Sequence, residues 1–248
     1  MKQTNSMQLL YGFDNIPPID HAVITVGSYD GVHSGHKVII DKVVERAKCC
    51  GGSSVVLTFE PHPRITLGRD EGLKLLTSLD EKALLLEQLN VDYLLVIPFD
   101  RAFSQISHEE FVNNYLIKRL NAKEIVIGYN HHFGHNKSGD YNYLTDTQPH
   151  LTVTQVEQQL VESNKVSSTV IRAALSLGDI TTTNRLLGHR YIIIGTSDNN
   201  GFVATDRYKL LPPAADYQAA VNGNIERITV CENGIYTSIK STKVTIEL

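Results

Sequence analysis

Cysteine is scarce. Only Cys49, Cys50 and Cys231 occur in 248 residues, and they form no metal-ligand spacing. Cys49 and Cys50 are adjacent, where a mutual disulfide would be strained. The composition therefore predicts a reduced, cytoplasmic protein. Positive charge is not in excess. The formal net charge is -4, so no bulk field recruits nucleic acid or an acidic membrane, and neither partner is expected. The first ten residues, MKQTNSMQLL, hold no apolar core of signal-peptide length. No apolar run approaches the roughly 20 residues of a membrane helix. Two familiar phosphate loops are missing as well: there is no G-x-x-x-x-G-K-[ST] and no G-x-G-x-x-G. Nothing in the composition sets an oligomeric state.

What remains is ordinary globular material. The chain is 42% hydrophobic, and its length allows one large domain or two small ones with a real core. Apolar, β-branched runs at Ala22–Gly27, Ser54–Phe59, Tyr93–Pro98, Lys123–Gly128 and Leu151–Val156 read as strands. Helix-period stretches fall at Gly35–Cys50, Leu79–Leu89, His108–Leu120 and Ser168–Leu177. Ser78 with Glu81, and Ser107 with Glu110, fit capping boxes. Gly51 and Gly178 stand where a helix end favours a left-handed residue. Alternating strands and helices predict an α/β, Rossmann-like parallel sheet. After Gly188 the texture changes to short strands, in RYIIIGT, ERITV, GIYTSIK and KVTIEL, with Asn, Gly and Pro between them. A small all-β unit of 189–248 is expected to follow a first domain of 1–188.

The stretch VITVGSYDGVHSGHKVII, Val23 to Ile40, begins as a strand and ends as a helix. Ligands of open parallel sheets collect at the carboxyl ends of strands. A helix starting near Gly35 directs free N–H groups and a positive dipole end there, which suits phosphate. His33 and His36 stand where a phosphate loop would carry Lys. Imidazoles donate hydrogen bonds to phosphate near neutral pH and take up a proton as charge builds. Gly35 lets a nucleotide approach the backbone. Two histidines alone would pass for loop residues, but the GxHxGH spacing after a strand argues otherwise. A zinc site would need further ligands, and no Cys or carboxylate sits at matching spacing.

Three more segments carry chemistry: TFEPHP (Thr58–Pro63), GYNHHFG (Gly128–Gly134) with Gly139 and Asp140, and VSSTVIR (Val166–Arg172). In the last, Ser167 or Ser168 is a natural N-cap. Arg172 lies one turn into the helix, where a cation opposes the dipole, so it makes better sense facing an anion. In TFEPHP, Pro61 and Pro63 stiffen the loop, and Phe59 reads equally as core.

Together with VGSYDGVHSGH, these ordered motifs resemble the bacterial FAD synthetase, or riboflavin biosynthesis protein, family, a group of H-x-G-H nucleotidylyltransferases. The resemblance runs from about Val23 to Gly188. It implies transfer of AMP from ATP to FMN, with Mg²⁺ bound through substrate phosphates and no protein ligand assigned to the metal. It implies catalytic roles for His33, His36 and Arg172. It implies ATP contacts at Gly27, Tyr29, Asp30, Gly35, Asn130, Ser168 and Thr169. Flavin contacts are implied at Phe59, His62, Pro63 and Phe133. The family more often has Asp at the Asn130 position and an aromatic-basic pair where this chain has His131 and His132.

Many members of that family also carry a C-terminal riboflavin kinase module, with a Gly-Phe-Pro-Thr-Ala-Asn-like segment. Here eight prolines occur and none is followed by Thr. The nearest counterpart is GFVATD, Gly201–Asp206, with Val203, Ala204 and Asp206 in place of Pro, Thr and Asn. NGIYTSIK resembles a later strand of the module, and the strands expected beyond it have no place before Leu248. The resemblance therefore implies an FMN adenylyltransferase without riboflavin kinase activity, its β-unit degenerate. The rivals are another small-molecule nucleotidylyltransferase and a non-catalytic flavin-binding regulatory protein.

Overall fold

Six apolar runs form a parallel sheet in the computed structural model, which describes residues 6–157, 160–161 and 164–248. They are β1 (Gln8–Tyr11), β2 (Ala22–Val26), β3 (Ser53–Glu60), β4 (Tyr93–Pro98), β5 (Ala122–Gly128) and β6 (Thr152–Val156). Their order across the sheet is β1-β4-β3-β2-β5-β6, every pairing parallel. All five residues of β2 are buried. Ile24 joins a large cluster with Leu57, Leu95, Ile97 and Ile125, while Val23 joins a smaller one with Val43, Ala47 and Val126. Successive side chains of a strand point to opposite faces, so both faces of the sheet are covered. That explains why the central strands read as near-continuous apolar runs.

The chain divides into two compact units. The first comprises Met1–Tyr29, His36–Glu71 and Leu85–Gln159, and contains the parallel sheet; the second comprises Asp30–Gly35, Gly72–Leu84 and Leu160–Leu248. Helix α1 (Ser34–Cys50) buries the stripe Ile40, Val43, Val44 and Ala47, and Gly51 follows it at φ +67°. The others are α2 (Pro63–Thr66), α3 (Leu79–Gln88), α4 (His108–Glu110) and α5 (Tyr141–Thr147). Ser78 and Glu81 form the expected reciprocal capping box, and Ser107 Oγ accepts from Glu110 N. The helix of α4 continues over Phe111–Arg119 in wider turns, with Leu120 N reaching back to Tyr115 O.

The second unit carries a two-stranded ladder, β7 (Leu160–Val161) with β8 (Asn164–Lys165). Helices α6 (Ser168–Ser176) and α7 (Ile180–Leu187) follow. Then come β9 (Ile192–Thr196), β10 (Phe202–Ala204), β11 (Asp216–Val221), β12 (Asn224–Cys231), β13 (Gly234–Tyr236) and β14 (Lys243–Glu247). These form an antiparallel sheet in the order β10-β13-β12-β11-β14-β9 around Tyr191, Ile193, Val221, Ile235 and Ile246. Asn222 (φ +48°) and Gly223 (φ +83°) make the two-residue β11–β12 turn, which matches the twist of the flanking strands. The expected fold class, a Rossmann-like parallel sheet followed by an all-β region, is the one observed. Among the described residues, no helix is long and apolar enough to cross a membrane.

Candidate functional site

In the first unit, β2 and β5 are neighbours at the point where strand order reverses. Loops leaving two strands on opposite sides of such a point open a crevice at their carboxyl ends. A cavity of about 720 Å³ lies there, lined by Gly27, Phe59, His62, Pro63, Asn130 and Phe133 among others. That size suits a small-molecule ligand. Five phenylalanines, Phe59, Phe99, Phe103, Phe111 and Phe133, stand in its walls. Phe59 meets Phe99 edge-on at 5.3 Å between centroids, Phe99 meets Phe103 at 5.7 Å, and His131 stacks on Phe133 at 5.8 Å. Phe59 packs against the core and also lines the cavity. His62 caps α2, its Nδ1 accepting from Arg64 N at 3.2 Å, with Pro63 at the first helical position. Phe133 is held by two backbone hydrogen bonds with Gly139, each 3.0 Å.

Sequence reasoning missed Phe99, Phe103, Phe111 and Arg69 as cavity residues, and of His131 and His132, between which it left the choice open, both line the cavity. Phe99 directly follows β4, so the strand-end rule could have found it. Burial pushes the His131 imidazole down to about 4, with the nearby His132 adding to the effect. His131 Nε2 is buried without a hydrogen-bond partner among the described residues.

Also in the first unit, the Tyr29 ring meets His36 edge-on at 5.1 Å. Tyr29 Oη lies 2.5 Å from Thr25 Oγ1, which donates to Val126 O at 2.7 Å. Thr25 has one hydroxyl hydrogen, so Tyr29 is the donor to it. This chain of bonds ties the β2 loop to β5. A Cβ at Gly27 would come within 3.0 Å of the Tyr29 ring, so the glycine makes room for it.

The second unit gathers the other half of the motif. Asp30 is 5% exposed. Its Oδ1 accepts from Leu76 N (2.8 Å) and Thr77 N (3.1 Å), and its Oδ2 accepts from Arg172 Nη1 at 2.6 Å. Burial raises the Asp30 carboxyl above its usual range, and the Thr77 amide, Arg172 and Lys82 oppose that. Two amides and a guanidinium on one carboxylate favour its ionised form. Arg172 therefore faces the anion its position demanded, and that anion is Asp30. Ser167 is the N-cap, accepting from Val170 N, whereas Ser168 Oγ donates to Asp30 O at 2.9 Å. Thr169 Oγ1 lies 3.5 Å from Arg172 Nη2.

Next along the loop, Gly31 (φ +84°) has its N on Thr77 Oγ1 and its O against His189 Nε2, both at 2.9 Å. A Cβ there would meet Leu76 at 2.7 Å. Val32 is β-branched yet adopts φ +40°, a conformation that stores about 1–3 kcal/mol. His33 is buried behind it at 6% exposure. Burial, chiefly, pushes its pKa down to about 4; its own backbone opposes this and the His189 charge adds to it. With no phosphate beside it, burial thus favours the neutral ring near pH 7. A neutral imidazole still donates one hydrogen bond. Gly35 is close to it, since a Cβ there would lie 3.2 Å from the His33 ring.

Among the described residues, no group of three or more His, Cys, Asp or Glu is placed to hold a metal ion. The three cysteines are free thiols.

Residues 17–170 match the family model described as FAD synthetase. A bifunctional riboflavin kinase/FMN adenylyltransferase of Listeria monocytogenes is 36% identical over 176 residues, covering 70% of this chain and 56% of that protein. The protein of the same description from Bacillus subtilis is 33% identical over 219 residues, covering 82% of this chain and 69% of that one. That from Escherichia coli K12 is 31% identical and is covered over 62% of its length. The chain thus spans between about half and two thirds of the length of these relatives. A crystal structure described as a macrolide-efflux protein from Streptococcus pneumoniae superposes with a TM-score of 0.82 over 97% of this chain and 89% of the other. At 22% identity, that likeness concerns the fold alone.

Proposed function

Because the chain belongs to the FAD synthetase family, we propose that it transfers AMP from ATP to FMN, releasing pyrophosphate. The observation that carries this reading is the cavity of the first unit. All four residues assigned to the flavin, Phe59, His62, Pro63 and Phe133, line it together with Gly27 and Asn130. Aromatic walls suit a flat, fused ring system.

A phosphate oxygen of FMN attacks the α-phosphorus of ATP. The new P–O bond forms as the bond to the bridging β-phosphate oxygen breaks, and pyrophosphate leaves with its electron pair. The nucleophile is already anionic, so no general base is required; placement and charge stabilisation carry the reaction. His33 contributes a neutral N–H donor, and His36 a second donor toward the charge growing on the transferred phosphate. Gly27, Tyr29 and Gly35 shape the loop that admits the nucleotide, and Asn130 reaches a substrate phosphate. Ser168, Thr169 and Arg172 hold the β- and γ-phosphates. One edge of the Arg172 guanidinium is committed to Asp30, and its five donors leave others for phosphate. Mg²⁺ bound through the phosphates would neutralise part of their charge, and we assign it no protein ligand. We assign transfer to residues 1–188 and place the protein in the cytoplasm, where three free thiols are stable.

We further propose that residues 189–248 do not phosphorylate riboflavin. Ala204, at the end of β10, lacks the hydroxyl of the kinase Thr. Asp206 brings a carboxylate where the family has an amide, and its Oδ1 is committed to Tyr208 N at 2.7 Å. The test supplies ATP and Mg²⁺ with FMN, riboflavin, phosphopantetheine or glycerol phosphate in parallel, and separates products by chromatography. FAD from FMN alone supports the reading. Transfer to another acceptor, binding of flavin without turnover, or FMN formed from riboflavin would each overturn the corresponding part.

A further inference from the structure

Lys209 is 6% exposed, in the loop before β11. Its Nζ donates to Leu76 O (2.7 Å), Ile192 O (2.8 Å) and Glu81 Oε2 (2.6 Å), and lies 4.4 Å from the centre of the Tyr191 ring. An ammonium has three hydrogens, and each has an acceptor. Glu81 is equally engaged, accepting from Ser78 N and Ile194 N. A buried ion pair is weak as a source of stability, since apolar residues of the same volume often serve as well. A buried pair this completely satisfied instead fixes geometry.

What it fixes is the segment 75–77. Leu75 N donates to Tyr208 O at 2.6 Å, and Leu75 O accepts from Leu210 N at 2.9 Å, while Lys209 takes Leu76 O. The same peptides turn their amides the other way, onto Asp30 Oδ1. Asp30 in turn offers Oδ2 to Arg172. Four residues distant in sequence therefore form one line within the second unit: Lys209, Leu76, Asp30, Arg172.

We propose that Asp30 is a positioning residue for Arg172 in nucleotide transfer, held in register by Lys209 of the C-terminal β region. This rests on the reading of the chain as an FMN adenylyltransferase. A free arginine has many rotamers to give up on gripping a triphosphate; Asp30 fixes one edge of the guanidinium beforehand, so less ordering remains for the nucleotide to impose.

Asp30→Asn separates this role from folding. The amide oxygen still accepts from Leu76 and Thr77, but an NH₂ replaces the oxygen that faced Arg172. In the full chain with ATP, FMN and Mg²⁺, the KM for ATP is expected to rise about tenfold or more, with the KM for FMN unchanged. Arg172→Lys added to Asp30→Asn is expected to make ATP binding no worse than the poorer single variant, because the two act as one unit. Lys209→Met is expected to raise the same constant in a folded protein. An unchanged KM for ATP in Asp30→Asn, or effects that multiply in the double variant, would overturn the proposal. Amide exchange at Leu76 and Thr77 gives a second readout that needs no turnover. Exchange accelerated about tenfold in Asp30→Asn and Lys209→Met supports the line of contacts, and unchanged exchange refutes it. Accelerated exchange in the two variants, together with a wild-type chain that transfers no AMP, would fault the functional reading and leave the contact line standing.

Discussion

Arg172 Nη1 donates to Asp30 Oδ2 at 2.6 Å, across 142 positions of sequence. A cation one turn into α6 opposes the helix dipole, and the Asp30 carboxylate compensates for it. The guanidinium can do this and still present donors to phosphate because it is a planar fork. An ammonium cannot serve both partners in that geometry. We expect Arg172→Lys to raise the KM for ATP about tenfold to a hundredfold while leaving the KM for FMN within twofold. Steady-state kinetics with each substrate varied in turn measures this, and equal changes in both constants would mark Arg172 as structural.

His36 lies edge-on to Tyr29 at the start of α1. As a donor to charge that grows only in the transition state, it belongs to the rate and not to the affinity. His36→Ala is expected to lower kcat by about 10²–10³ with FMN binding preserved. Turnover rates beside a flavin-fluorescence titration separate the two; unchanged turnover would remove His36 from the mechanism.

Phe59 stands between core and cavity. Phe59→Leu keeps much of the apolar volume and removes the ring. We expect FMN to bind roughly tenfold more weakly, consistent with about 0.5–1.5 kcal/mol for an aromatic pair beyond its area. The KM for ATP should not move. A larger effect on ATP than on FMN would argue against the flavin assignment of this cavity.

The buried His33 makes stability depend on pH. Its folded pKa, about 4, is below the ordinary 6.5. The unfolded chain therefore binds the proton more readily, and acid favours unfolding. The contribution is fully present above pH 6.5, is lost as pH falls toward 4, and changes no further below that. Its ceiling is about 3 kcal/mol. Denaturant unfolding at pH 7 and pH 4.5 should show a smaller acid-induced loss in His33→Gln than in the parent. Identical losses would mean that His33 is not held neutral by the fold.

Much of this was legible in the chain, for reasons that differ by element. Strands covered on both faces, such as AVITV of β2 and YLLVIP of β4, announce themselves because nearly every position is apolar. β1 and β11 went unrecognised: QLLY is a four-residue strand paired only to β4, and DYQAAV mixes exposed polar residues with alanines. α5 and α7 were missed as well. TDT and TTT spell turn or strand by propensity, and tertiary packing of Leu144, Leu186 and Leu187 decides otherwise. Gly27, His62, Pro63, Asn130 and Phe133 were readable as cavity residues because they follow strand ends, and Phe59 because it lies near the end of β3. The engagement of Asp30 was not, since its partners are 46, 47 and 142 residues away. Lys209 reads as a surface residue in sequence, and only the fold supplies the Glu81 and carbonyl partners that let it be buried.

The most direct test of the account mixes the full chain with ATP, FMN and Mg²⁺ and follows FAD and pyrophosphate together. The account predicts that both appear catalytically, in equal amounts, and that neither forms when FMN is omitted. Pyrophosphate or ADP released without FAD, or no turnover from a folded protein that binds FMN, would contradict it.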